Sequence, residues 1–176
     1  MGRNKYINDY RLEETREPGG RRRTLTYIGG AYEYVLAPEA VRRERKAVLL
    51  LGAVGWALFL CALLPYSAAS RKAYIVLPFL FNALSLGIVT GTVLSAPKPG
   101  APMERRQAEG LSNRYPAASV FTVILSAASL LGEGIYGLAG GEYAPGDAVF
   151  SLCAALLAVC GAILLKKRRS FDTRKS

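Results

Sequence analysis

Four apolar runs without a lysine or arginine constrain this chain more than any other feature. They cover residues 47–65, 73–94, 115–139 and 148–165, so each is 18 to 25 residues long. A helix needs about 20 predominantly apolar residues to cross the hydrocarbon core of a bilayer. The composition, 51% hydrophobic and 20% charged over 176 residues, argues against a soluble enzyme, a secreted disulfide scaffold and a disordered chain. The sequence predicts an all-α membrane protein, with a bundle of four antiparallel transmembrane helices over residues 38–165.

Positive charge lies outside the runs in a pattern that indicates membrane topology. Of the 23 Lys and Arg residues, 11 precede residue 47, four lie within 95–114 and six follow residue 165, against two between the first two runs. Cytoplasmic segments of membrane proteins carry this excess. We therefore expect a plasma-membrane protein with both termini in the cytoplasm. We expect contact with the lipid bilayer but not with nucleic acid, because no basic stripe carries base-reading chemistry.

The segment before the bundle divides into two predicted parts. Residues 1–23 combine many basic residues with no periodicity, which is typical of a mobile basic tail. Residues 24–36 hold two β-prone runs separated by Gly29 and Gly30, the pattern of a small cytoplasmic β-hairpin with a two-residue turn. At the other end of the chain, residues 166–176 are predicted to form a second basic cytoplasmic tail.

The predicted hairpin has one aromatic and apolar face. Pairing across the two glycines brings Tyr27 opposite Tyr32 and Leu25 opposite Tyr34, and these four side chains share one side of the ribbon. An isolated two-stranded hairpin is marginal in water, so this face should rest on the headgroup layer, the loop at 95–114 or a partner protein. We take the face formed by these four side chains as the candidate partner face. Contact with the chain's own bundle or with lipid is the simpler interpretation.

The third run carries a polar stripe at helical spacing. Its members recur every three or four residues and therefore share one face of a helix: Ser119, Thr122, Ser126, Ser129, Glu133 and Tyr136. A polar stripe against lipid is costly, so it should face other helices. Two hypotheses remain open, a packing seam of interhelical hydrogen bonds and a path for an ion or substrate. Asn82, near the centre of the second run, should hydrogen-bond to Ser126 or Ser129.

Glu133 is the one Asp, Glu, Lys or Arg residue within the four runs. An ionisable group inside a membrane span is a functional candidate. It lies six residues before the end of its run, or about 9 Å of helix, and therefore in the outer third of the span. The opposite charges on that side are Arg71 and Lys72. The favoured interpretation is an ion pair with one of them, ahead of a proton- or cation-linked transport site and a solvated carboxylate.

Residues suited to catalysis or cofactor binding are scarce in this sequence. It has no histidine, no Cys-x-x-Cys pair and no glycine-rich phosphate loop. We therefore expect no enzyme activity, no catalytic residues, no metal and no cofactor. The best-fitting role is a non-catalytic accessory or interaction subunit that binds a membrane-protein partner or a second copy of itself. The alternative is a small oligomeric transporter or channel that uses Glu133.

Overall fold

A computed structural model of the chain describes residues 9–17, 20–65 and 69–175. Within them, four helices are long and apolar enough to span a membrane, as the apolar runs predict, and they indicate a multi-pass membrane protein. A short helix and a π-helical turn at Gly110–Arg114 lead into the third of these spans. The helices are α1 (Pro38–Leu63), α2 (Ala73–Ser95), the short α3 (Arg105–Glu109), α4 (Tyr115–Leu138) and α5 (Pro145–Lys166).

Neighbouring long helices run antiparallel in the ring order α1, α2, α4, α5. Tyr115 at the start of α4 donates a hydrogen bond to the carbonyl of Leu164 near the end of α5 (2.6 Å). Near the other end of α4, Glu133 accepts a hydrogen bond from Ser151 of α5. Glu44 of α1 pairs with Lys167 just after α5, and Arg45 donates to the carbonyl of Leu94 near the end of α2. Helices α1 and α4 therefore begin, and α2 and α5 end, at one end of the bundle. We call it the basic end, because the Arg42–Lys46 cluster of α1 lies there.

Aromatic rings fill the bundle toward the opposite end. Phe79 of α2 stacks on Phe59 of α1 with centroids 5.3 Å apart, and its ring lies 4.8 Å from that of Phe150 of α5. Phe79 and Phe150 are fully buried. A second buried cluster fills the basic end with Val48, Val89, Val93, Ala96, Met103, Leu111, Tyr115, Ala118, Leu164 and Phe171. Side chains from all four long helices thus meet at the bundle axis.

The strands pair differently from the sequence prediction. Strand β1 (Tyr10–Glu17) pairs antiparallel with β2 (Gly20–Tyr27), and β3 (Tyr32–Tyr34) pairs antiparallel with β4 (Thr173–Lys175) near the C-terminus. The predicted pairing within residues 24–36 was therefore wrong. Tyr27 lies opposite Tyr10 rather than Tyr32, and Leu25 lies opposite Leu12 rather than Tyr34.

Competition for backbone hydrogen bonds explains this difference. The N–H and C=O of Tyr32 both bond to Met103, at 3.1 and 2.9 Å, so neither is left for Tyr27. The N–H of Ile28 bonds instead to the carbonyl of Asp9. Residues 1–8 of the predicted mobile tail lie outside the described residues, whereas β1 and the start of β2 occupy much of its remainder.

Segments from three distant parts of the chain meet at the basic end. Strand β3 contacts β4 on one side and Met103 on the other, and the N–H of Val35 bonds to the carbonyl of Asp172. We call residues 28–37, 97–104 and 171–175 the platform. Lys167 and Glu44 form an ion pair of 2.6 Å between the end of α5 and α1 beside it.

Candidate functional site

The polar stripe of α4 faces the interior of the bundle, as its spacing predicts. Four hydroxyl-bearing members are completely buried, and Glu133 is 2% exposed. Tyr136, the last member, is partly exposed, and its hydroxyl donates to the carbonyl of Glu142 at 3.4 Å. The buried hydroxyl-bearing members are Ser119, Thr122, Ser126 and Ser129.

Most of these hydroxyl groups bond to backbone carbonyls. Ser119 and Thr122 each donate to the carbonyl four residues earlier in α4, at 2.9 and 3.1 Å. Ser129 has two acceptors, the carbonyl of Leu125 in its own helix and that of Ile75 in α2. Back-bonding of this kind satisfies the hydroxyl within the helix. These side chains therefore allow close contact with α2 and α5 while keeping their donors occupied.

Asn82 meets the stripe from α2. It is completely buried, and Ser126 donates to its Oδ1 atom at 3.5 Å, which confirms the predicted contact between these two residues. The Nδ2 atom of Asn82 has no hydrogen-bond partner. The contact is long for a hydrogen bond. Asn82 is thus a buried amide held mainly by its packing between α2 and α4.

The carboxylate of Glu133 bonds to a serine of the neighbouring helix. Ser151 of α5 donates to Oε2 at 2.6 Å, and Oε1 has no hydrogen-bond partner among the described residues. The ammonium group of Lys72 lies over the ring of Tyr136, 5.7 Å from its centroid. The structure thus gives Glu133 an interhelical hydrogen bond, and an ion pair with Arg71 or Lys72 stays a prediction.

Asp147 is a second buried acid, which the sequence pattern did not single out. It lies in the first turn of α5 and is completely buried. Its Oδ2 atom accepts from the N–H of Ala144 at 2.6 Å, and its Oδ1 atom accepts from the N–H of Ala69 at 3.0 Å. The signal that could have identified it is an acid two residues after Pro145, because acidic side chains satisfy free N–H groups at helix starts.

The tyrosines of the candidate partner face contact other parts of the same chain. Tyr32 and Tyr34 pack against the buried cluster at the basic end. The hydroxyl of Tyr27 donates to the carbonyl of Gly30 and accepts from the N–H of Arg105. The side chain of Leu25 lies outside the described part of the structure. The tyrosines thus contact the bundle and its loops, which was the simpler of the two interpretations.

Apolar side chains that the sequence analysis did not single out are exposed on the platform. Val35 is 57% exposed and Leu36 39% exposed, and both border a groove of about 340 Å³. Charged side chains of both signs, Glu33 and Arg174, line the same groove. The sequence contained a signal for Val35, because it alternates with the tyrosines and therefore lies on the other face of the strand.

Comparison with known proteins yields no relative: no family model, curated protein or solved structure matches this chain.

Proposed function

We propose that this chain is a non-catalytic accessory or interaction subunit of a plasma-membrane assembly, with both termini in the cytoplasm. In this proposal the four long helices anchor the chain and hold the platform together at the cytoplasmic surface. A partner protein binds the platform. The chain itself moves no solute and catalyses no reaction.

The filling of the bundle supports a structural role for its polar residues. Buried aromatic rings of α1, α2 and α5 meet at its axis. The hydroxyls of Ser119, Thr122 and Ser129 already donate to backbone carbonyls, so their hydrogens need no further partner in the bundle. Hydrogen bonds between membrane helices contribute about 0.6–2 kcal/mol each to association. The stripe is best explained as a packing seam.

Exposed apolar side chains beyond the membrane surface carry the proposal. Helix α1 begins at Pro38, nine residues before its apolar run, which corresponds to about 13 Å of helix. The headgroup layer adds only roughly 5–8 Å on each side of the hydrocarbon core. Val35 and Leu36 precede Pro38, so we expect them to lie past the headgroups, in contact with water. Adjacent exposed apolar residues beside a groove favour a protein contact.

Site-specific photo-crosslinking tests this role. A photoreactive phenylalanine analogue replaces Val35 in the full chain, and native membranes of the source organism are irradiated. We expect one discrete protein adduct of a mass different from that of a self-adduct. The control position is Leu131, which is 70% exposed on the membrane span α4 and should give lipid adducts. The same analogue is also placed at Leu36 and at Ile28. Absence of a protein adduct from all three positions would contradict the proposal.

The second candidate function, a small oligomeric transporter or channel, is favoured by one observation. Glu133 is almost fully buried in a membrane span, and its Oε1 atom lacks a hydrogen-bond partner. Flux measurements with the purified chain in liposomes distinguish the two candidates. Movement of protons, cations or lipophilic cations above that of empty liposomes, abolished by Glu133→Gln, would establish transport. We expect flux equal to that of empty liposomes.

A further inference from the structure

A groove between α4 and α5 at the basic end combines an apolar wall with three cations. Val120, Val123, Ala162 and Leu165 form its wall, and the cations are Lys166, Arg168 and Arg169. Its volume is about 760 Å³. This lies within the range of about 300–1,000 Å³ that is typical of small-molecule sites.

The depth of the cations matches the phosphate layer of a bilayer. The fourth apolar run ends at Leu165, and Lys166 begins the basic segment. The groove therefore changes from apolar to cationic where the hydrocarbon core gives way to headgroups. Arginine side chains bind phosphate oxygens in bidentate geometry, and arginine stays charged at any physiological pH.

The neighbouring lysine has a different role. Lys167 forms its ion pair with Glu44 of α1 and does not line the groove. Lys166, Arg168 and Arg169 are exposed, and no acidic side chain lines the groove with them. Their charge is thus uncompensated by any residue lining the groove.

We propose that this groove is a binding site for an anionic phospholipid. The phosphate lies against Arg168 and Arg169, and an acyl chain runs along Val120, Val123 and Ala162 into the bilayer. The continuous apolar wall favours a lipid over a free phosphate ion, because a free ion would gain nothing from it. Basic pockets between transmembrane helices recognise anionic headgroups in this way.

Lipid binding to the delipidated full chain in detergent, measured by native mass spectrometry with phosphatidylglycerol, tests the proposal. Arg168→Gln/Arg169→Gln should weaken binding about tenfold. The control Arg42→Gln/Arg43→Gln removes the same charge from exposed positions on α1 and should change binding less than twofold. Equal weakening by both pairs would show diffuse electrostatic attraction and would overturn the proposal.

A second variant tests the apolar wall of the groove. It keeps the proposal testable if the arginine variant fails to fold. Ala162→Trp fills the groove without changing charge and should weaken phosphatidylglycerol binding about tenfold. Binding equal to that of the unmodified chain would overturn the proposal. Competition with inorganic phosphate or glycerol phosphate distinguishes a lipid site from a site for soluble phosphate compounds. We expect neither to displace the lipid at a hundredfold excess, and displacement by either would show a site for soluble anions instead.

Discussion

Ser151 of α5 donates a 2.6 Å hydrogen bond to Oε2 of Glu133 in α4. This contact joins two helices within the membrane spans and gives the carboxylate one partner, while Oε1 has none. Removal of either residue should therefore affect how α4 and α5 associate.

The energetic coupling between Glu133 and Ser151 is the first prediction. Glu133→Met and Ser151→Ala, made singly and together, should show a coupling energy of about 0.6–2 kcal/mol, because each single change removes the same hydrogen bond. Reversible unfolding in mixed micelles, followed by circular dichroism, measures it. Glu133→Met combined with Ser119→Ala is the control and should show coupling below about 0.5 kcal/mol. Additive effects for Glu133 and Ser151 would contradict the assignment.

The second prediction concerns the pH dependence of the platform. Burial raises the pKa of Tyr34 above its usual value of 10.0, against a smaller opposing effect of Arg45. The folded state therefore keeps this proton when the unfolded state loses it. The contribution of Tyr34 to the free energy of unfolding is complete below about pH 10. It is lost as the pH rises through the higher pKa of the folded state.

Tyr34→Phe isolates this effect. The hydroxyl of Tyr34 is buried and has no hydrogen-bond partner in the described part of the chain. Its removal should therefore leave stability at pH 7 unchanged or increase it by up to about 1–3 kcal/mol. Hydrogen exchange of β3, measured between pH 9 and 11, should show less loss of protection in Tyr34→Phe than in the unmodified chain. Tyr143→Phe is the control, because it removes a tyrosine hydroxyl outside the platform. Identical pH profiles for all three proteins would refute the prediction.

Two glycines of different surroundings give the third prediction. A Cβ atom at Gly161 would lie 3.0 Å from Val123 Cγ2 and 3.1 Å from Thr122 Cγ2, whereas one at Gly87 would meet nothing within 4 Å. Gly161→Ala should destabilise the bundle by about 1–3 kcal/mol through overpacking. Gly87→Ala should leave it unchanged or slightly more stable, since alanine favours helix. Thermal unfolding in detergent measures both, and equal effects would contradict the helix packing.

The apolar runs predicted the spans well because the requirement for about 20 apolar residues is local and strong. The inward direction of the α4 stripe was also predictable, because helical spacing fixes which residues share a face. The partner of Glu133 was not predictable in this way. Whether Ser151 or Lys72 reaches it depends on the rotation of α5 and on the path of the loop before α2, which one sequence does not specify.

Strand pairing failed for a different reason. Gly29 and Gly30 favour a hairpin turn locally. Met103 and the C-terminal residues are distant in sequence, yet they occupy the backbone groups of Tyr32 and the pairing edge of β3. A local pattern cannot reveal such competition. The exposure of Val35 also depends on this long-range pairing, because β4 and Met103 fix which face of β3 turns toward the bundle.

Membrane orientation is the fourth prediction. A reporter fused after Ser176, or placed within residues 107–113, should be cytoplasmic, and one inserted between Gly140 and Gly141 should be external. The excess of lysine and arginine at the basic end is the physical reason. Alkaline phosphatase and fluorescent-protein fusions measure the side. An external C-terminus would contradict both the orientation and the proposed position of the platform.

The size of the native assembly tests the central claim most directly. Membranes of the source organism are solubilised in mild detergent, and the assembly is sized by native electrophoresis with detection of this 19.0 kDa chain. The unmodified chain should migrate well above the mass of its own dimer, and Val35→Asp/Leu36→Asp should release it as the free chain. The control Leu138→Asp, at an exposed position at the opposite end of the bundle, should remain in the assembly. Migration of the unmodified chain as a monomer or dimer, or retention of Val35→Asp/Leu36→Asp in the large assembly, would contradict the account.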